Sequence, residues 1–159
     1  MLYLCFSIDQ ERYAIPAAGV VAVVPRVLTR RIAGAPPWVL GLMKYEDQVI
    51  PLIDLVYLLS QMPCTELLSS RCMIVQYKAP GLGERTVGLL AEGVTELRSV
   101  QESQLLDSQI TLANTRFFGK VINDGKALIQ TLTVNNLIPS ELHEMLFGGH
   151  GEAVLPAGL

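Results

Sequence analysis

Apolar and polar residues alternate in short runs along most of this chain, and the runs are broken by Gly, Pro, Asn and Asp rather than extended at helical spacing. Segments rich in Val, Ile, Leu and Tyr predict strands near Leu2–Ile8, Arg12–Ile15, Val20–Pro25, Val39–Tyr45, Val49–Ile53, Cys72–Lys78, Arg85–Leu90, Val94–Val100, Phe117–Asn123 and Ala127–Thr131. Helical signals are confined to a turn or two at Leu55–Leu59 and to Glu141–Leu146, where Pro139-Ser140 has the form of an N-terminal cap. The pattern is that of an all-β chain with short helices, one of them C-terminal. A single domain is expected over residues 1–147, followed by a flexible Gly- and Ala-rich tail over 148–159.

The order of these elements repeats. Ala14-Ile15-Pro16-Ala17-Ala18-Gly19-Val20 lies over Gly88-Leu89-Leu90-Ala91-Glu92-Gly93-Val94 at an offset of 74, and Gly41 through Leu55 lies over Gly119 through Leu132 after a one-residue gap. Two similar half-barrels on one shared core is the simplest structure this permits. Chance likeness among β-hairpins is the alternative. Asn123-Asp124-Gly125 supplies turn residues that tolerate positive φ, whereas the matching hairpin has Glu46-Asp47, with Asp able to take that conformation.

Composition narrows the function. Half of the 159 residues are apolar and 17% are charged, with a mean hydropathy of +0.39, so either the core is large or apolar surface awaits partners. No apolar run reaches the roughly 18 residues that would span a bilayer, and no basic segment precedes Arg12 as a secretory signal requires. A cytoplasmic protein without membrane insertion is expected. A net charge of −3 and a pI near 5.3 argue against nucleic acid, which demands a basic face. Cys5, Cys64 and Cys72 have neither the number of a disulfide framework nor metal-ligand spacing.

Candidate chemistry is sparse. The two histidines, His143 and His150, lie in the terminal helix and tail, where idle exposed side chains are expected, and Gly81-Leu82-Gly83 lacks the rest of a nucleotide fingerprint. Asp54, Glu92 and Glu96 are scattered singly rather than paired as an acid and a base. No enzyme, cofactor or metal site is expected. The run Gly19-Val20-Val21-Ala22-Val23-Val24 is apolar on both faces of a strand, so one face can meet a partner. The repeat sets Val94 and Leu97 at the positions of Val20 and Val23. These four residues either wall a groove that takes an amphipathic helix or belong to an ordinary core.

Several ordered segments resemble one family: Tyr13-Ala14-Ile15-Pro16, the Val-rich strand, Ala35-Pro36-Pro37-Trp38-Val39-Leu40-Gly41-Leu42-Met43, Gln48-Val49-Ile50-Pro51-Leu52-Ile53-Asp54-Leu55, and Val87 through Val94. From Leu2 to about Leu137 the chain is similar to the CheW-like coupling proteins of bacterial chemotaxis. The resemblance implies two SH3-like five-stranded half-barrels and a non-catalytic adaptor. Its partners would be the cytoplasmic tip of a methyl-accepting chemoreceptor and the regulatory domain of a CheA-type histidine kinase, and it would be recruited to membrane receptor arrays. The receptor groove maps onto Val20, Ala22, Val23 and Gly41, with Val94 and Leu97 in the second half. Where the family reads Asn-Leu-Arg-Gly, this chain has Lys44-Tyr45-Glu46-Asp47, making Lys44, Glu46 and Asp47 a candidate partner-specifying turn. Two other readings stay open. One is a CheW-like scaffold docking a different regulatory or polar partner, and the other is a ligand-binding or enzymatic β-barrel, disfavoured by the missing catalytic groups.

Overall fold

A computed structural model describes residues 1–27, 29–64, 70–108 and 116–148. The chain runs β1 (Leu2–Ile8), β2 (Glu11–Pro16), β3 (Val20–Pro25), β4 (Val39–Tyr45), β5 (Gln48–Asp54), α1 (Leu55–Ser60), β6 (Arg71–Ala79), β7 (Gly83–Ser99), β8 (Leu105–Leu106), β9 (Phe118–Asn123), β10 (Leu128–Leu132) and α2 (His143–Phe147). Strands β3, β4, β5, β6 and the first part of β7 form one half-barrel. Strands β1, β2, β8, β9, β10 and the end of β7 form the other. Each barrel therefore takes strands from both halves of the sequence.

The internal repeat is visible in the hydrogen-bond registers. Val23 pairs with Met73 as Leu97 pairs with Leu4, Pro25 with Arg71 as Ser99 with Leu2, and the parallel pair Leu52–Gly88 matches Thr131–Ala14. Val20 and Val94 are thus equivalent, as the sequence match has it. The second match needs one correction, because Leu42–Pro51 corresponds to Val121–Gln130 and so Gly41 lies level with Lys120 instead of Gly119. A one-residue slip inverts which face each side chain occupies.

β7 is also one strand where two were expected. Gly93, at φ +56°, bends it without ending it, and residues 93–95 bulge opposite Phe6 alone. The bend carries β7 out of the first barrel and into the second.

Pairing explains the unbroken apolar strands. On β1, Leu4, Phe6 and Ile8 face the large shared core with Ile15, while Tyr3 and Cys5 face a smaller core with Ala14, Ile122 and Ile129 inside the second barrel. Both faces of β1 are therefore dry. The first barrel closes at the Arg30–Leu42 bridge, where Leu42 N donates to Arg30 O at 2.7 Å and Arg30 N to Leu42 O at 2.8 Å. α1 starts at Asp54, whose buried carboxylate accepts from Tyr57 N at 3.1 Å and Cys64 N at 3.0 Å.

The C-terminal helix differs from expectation in its start. Ser140 opens a 3-10 turn without a side-chain cap, and α2 follows from His143 to Phe147, ended by Gly148 at φ +70°. Residues 149–159 of the expected tail, His150 among them, lie outside the described residues. His143 is not an idle surface residue. Its Nε2 lies 2.8 Å from the Tyr77 hydroxyl, and Tyr77, buried, also donates to Ile138 O at 3.2 Å. Stacking of Phe147 on the Tyr77 ring, with centroids 5.7 Å apart, completes the anchor of α2.

Candidate partner-binding surface

β3 has a strand neighbour on one side only, β6, among the described residues. Between Val20 and Ala22 the register shifts, which leaves Val21 unpaired as a bulge. Regular strand geometry would put residues three apart on opposite faces. Val20 and Val23 instead share a face, because the bulge absorbs one residue: Val20 pairs with Val75 and Val23 with Met73, two apart on β6. Val20 and Ala22 are half-buried, Val23 is 43% exposed and the bulged Val21 is 50% exposed.

The equivalent edge belongs to the end of β7. Leu97 lies opposite Leu4, which faces the shared core, and is 60% exposed. Val94 sits in the bulge and is half-buried against that core. The two edges are related by the repeat but differ in charge. Ala22 is matched by Glu96, which holds Arg12 and Arg98, and Arg98 reaches Asp124 at 2.7 Å. The Arg12 guanidinium, hydrogen-bonded to Glu96, holds that carboxyl below the usual range. Asp124 is held down to about 2, chiefly by the backbone N–H groups of Ala127 and Lys126 and further by Arg98. This chain of ions ties β2 and β7 to the β9–β10 hairpin.

Gly41 does not line an open groove. It is buried at φ +136°, and a Cβ there would sit 2.2 Å from Arg30 O. Its role in the structure is to let the segment after β3 close the first barrel. Lys44, Glu46 and Asp47 are exposed together at the β4–β5 turn, beside Val49 at 67% exposure. Positive φ falls on Glu46 (53°) and not on Asp47, the residue expected to take it.

A cleft of about 460 Å³ opens where the barrels meet, lined from the first barrel by Gly19, Val75 and Gln76 and from the second by Leu105, Lys120 and Thr131. Sequence reasoning did not single out Leu105 or the Thr131–Asn135 segment, since neither carries a periodic apolar signal. The cleft holds no paired acid and base. Burial pushes the Cys64 thiol up to about 11 and raises those of Cys5 and Cys72, which keeps all three protonated and unreactive. The arrangement offers apolar edges and a cleft for binding.

No helix among the described residues is long and apolar enough to cross a membrane. A family model described as CheW-like domain matches residues 2–142. Among solved structures, the scaffolding protein TtCheW from Thermoanaerobacter tengcongensis is similar with a TM-score of 0.75 and 22% identity, over 87% of this chain and 87% of its own. No curated protein matches the sequence.

Proposed function

The chain belongs to the CheW-like domain family, and from that membership we propose that it couples the helical tip of a methyl-accepting chemoreceptor to the regulatory domain of a CheA-type histidine kinase. Members of the family are non-catalytic scaffolds in chemotaxis signalling, and a scaffold or adaptor role is the one this chain performs. The receptor surface in this proposal comprises Val20, Ala22, Val23, Val94 and Leu97, with Gly41 supporting it from the barrel seam. Recruitment of the protein to membrane receptor arrays follows from that contact.

One observation carries the reading: the Val21 bulge sets Val20 and Val23 on one face, and their repeat mate Leu97 is exposed on an equivalent edge. Apolar side chains left open on sheet edges favour aggregation unless a partner covers them. An amphipathic receptor helix would bury them through spaced anchors. The test is calorimetry with a receptor-tip fragment. Val23→Asp and Leu97→Asp should each weaken binding by about 1 to 3 kcal/mol while the melting temperature stays nearly constant. Unchanged affinity in both would overturn the assignment of the surface, and recovery of neither receptor nor kinase from the source cell would overturn the coupling role.

A second reading rests on the β4–β5 turn. Lys44, Glu46 and Asp47 present two acids and one base where the family usually has an arginine and a glycine, which favours a different regulatory or polar partner for that surface. Rim charges act mainly on association rate and discrimination. Glu46→Arg should then shift partner preference at low salt and lose its effect at high salt; no change in rate for either partner marks the turn as neutral.

A further inference from the structure

Tyr3 lines the inter-barrel cleft with a hydroxyl that no group of the protein satisfies among the described residues. Its ring belongs to the small core of the second barrel with Cys5 and Ile122, and the residue as a whole is 6% exposed. No side-chain oxygen of the described residues is both sealed from solvent and unpaired. The Tyr3 hydroxyl therefore reaches open space, and the cleft is the cavity that Tyr3 lines. A tyrosine this deeply buried ordinarily gives its O–H to a protein acceptor, as Tyr77 does to Ile138 O. For Tyr3 the acceptor comes from whatever fills the cleft.

The rest of the lining selects one chemistry. Ile15, Val75 and Leu132, each exposed by 1% or less, give the cleft an apolar wall. Lys120 brings a positive charge, and the half-buried Gln76 brings a side-chain amide that makes no hydrogen bond among the described residues. No carboxylate lines the cleft among those residues. Lys120 does meet Asp107, outside the lining, but at 3.8 Å and with both side chains exposed, so the pair is loose and easily exchanged. The cavity of about 460 Å³ has the size of small-molecule sites, roughly 300 to 1,000 Å³.

We propose that this cleft binds a small organic acid, with its aliphatic or aromatic body against Ile15, Val75 and Leu132 and its carboxylate taken by the Tyr3 hydroxyl and Lys120. A carboxylate can leave water only where it is paired and hydrogen-bonded, and a cation beside a buried O–H donor meets both needs. The same set rejects an amine, which would face Lys120 with no acid to receive it. None of the residues assigned to the receptor lines the cleft, so the site stands whether or not that assignment does.

The probe is hexanoate, compared with hexanol and hexylamine, which keep the chain and change the head. Each is titrated into the full chain labelled at Ile, Leu and Val methyl groups. Saturable shifts at Ile15, Val75 and Leu132 are expected with hexanoate, and hexylamine should bind at least about ten-fold more weakly. Tyr3→Phe removes the hydroxyl alone, so hexanoate affinity should fall by about three-fold to ten-fold while the melting temperature stays where it was. Lys120→Gln should abolish the preference for hexanoate over hexanol. Absence of saturable shifts with hexanoate overturns the proposal, as do equal binding of hexanoate and hexylamine or wild-type affinity in both variants. A Tyr3→Phe chain that melts earlier would also overturn it, since the hydroxyl would then be serving the fold.

Discussion

Replacing Gly41 by alanine or serine tests how the first barrel closes. A Cβ at this position would lie 2.2 Å from the carbonyl oxygen and 2.8 Å from the carbonyl carbon of Arg30, and 3.1 Å from the Cα of Arg31. All three atoms are backbone, so no side-chain rotation relieves the clash. The Arg30 segment must retreat, and with it go the two hydrogen bonds of the Arg30–Leu42 bridge. Each lost bond costs about 0.5 to 1.5 kcal/mol, and holding a non-glycine residue at φ +136° adds about 1 to 3 kcal/mol. The expected loss is about 2 to 6 kcal/mol, a large part of the roughly 5 to 15 kcal/mol by which such domains are stable. Urea unfolding followed by circular dichroism measures it, and amide exchange at Leu42 shows whether the seam opens first. Alanine and serine should behave alike, because the Cβ alone causes the clash. A loss below about 0.5 kcal/mol for both, within the range of an innocuous surface change, would refute the seam argument.

In the β1–β2 hairpin, Asp9 and Gln10 both hold positive φ (53° and 69°), the geometry in which the second residue favours glycine. Gln10→Gly should therefore raise stability by up to about 1 kcal/mol in urea melts, and a loss would contradict the turn assignment. Tyr77→Phe removes the hydroxyl that meets Ile138 O and His143; stability should fall by about 1 to 2 kcal/mol, with α2 cut earlier in limited proteolysis. Equal protease resistance would show that α2 is held by stacking alone. For pH, Asp124 titrates at about 2 when folded against an ordinary 3.8, and Glu96 is lowered too, so their contribution is complete above the unfolded values and lost as pH falls toward 2. Asp124→Asn should flatten the melting-temperature profile between about pH 5 and 2, and an unchanged slope would show that other carboxylates dominate.

Strand positions, the repeat and the exposed valines could be read from the chain because each is a local pattern. Val20–Pro25 follows Gly19, ends at a proline and is rich in valine, and Val39–Tyr45 is an apolar run between Pro36-Pro37-Trp38 and the polar Glu46-Asp47 turn, signals that need no reference to distant neighbours. The match of Val20 with Val94 was legible for the same reason, since both follow a glycine that ends one strand direction and begins another. The Gly41 match was one residue out. Aligning glycine with glycine introduces a gap that the structure does not have: Val39–Ile53 corresponds to Phe118–Leu132 and Leu42–Pro51 to Val121–Gln130, with an equivalent bulge in each ladder. The sequence divides β7 into two strands, but β1 pairs with Glu92 before the Gly93 bulge and with Glu96 after it, so the strand bends without ending.

Other features depend on contacts between segments far apart in the chain. His143 looked idle because its partner, Tyr77, lies 66 residues away on β6. The hydropathy of Leu106 and Leu128 resembles that of core residues, yet they are 46% and 63% exposed, because nothing among the described residues packs over them as the shared core packs over Leu4 and Phe6. Local propensity and alternation act within a few residues and so are written in the order of side chains. Burial is a property of what packs on top, which the chain settles only after its two halves have exchanged strands.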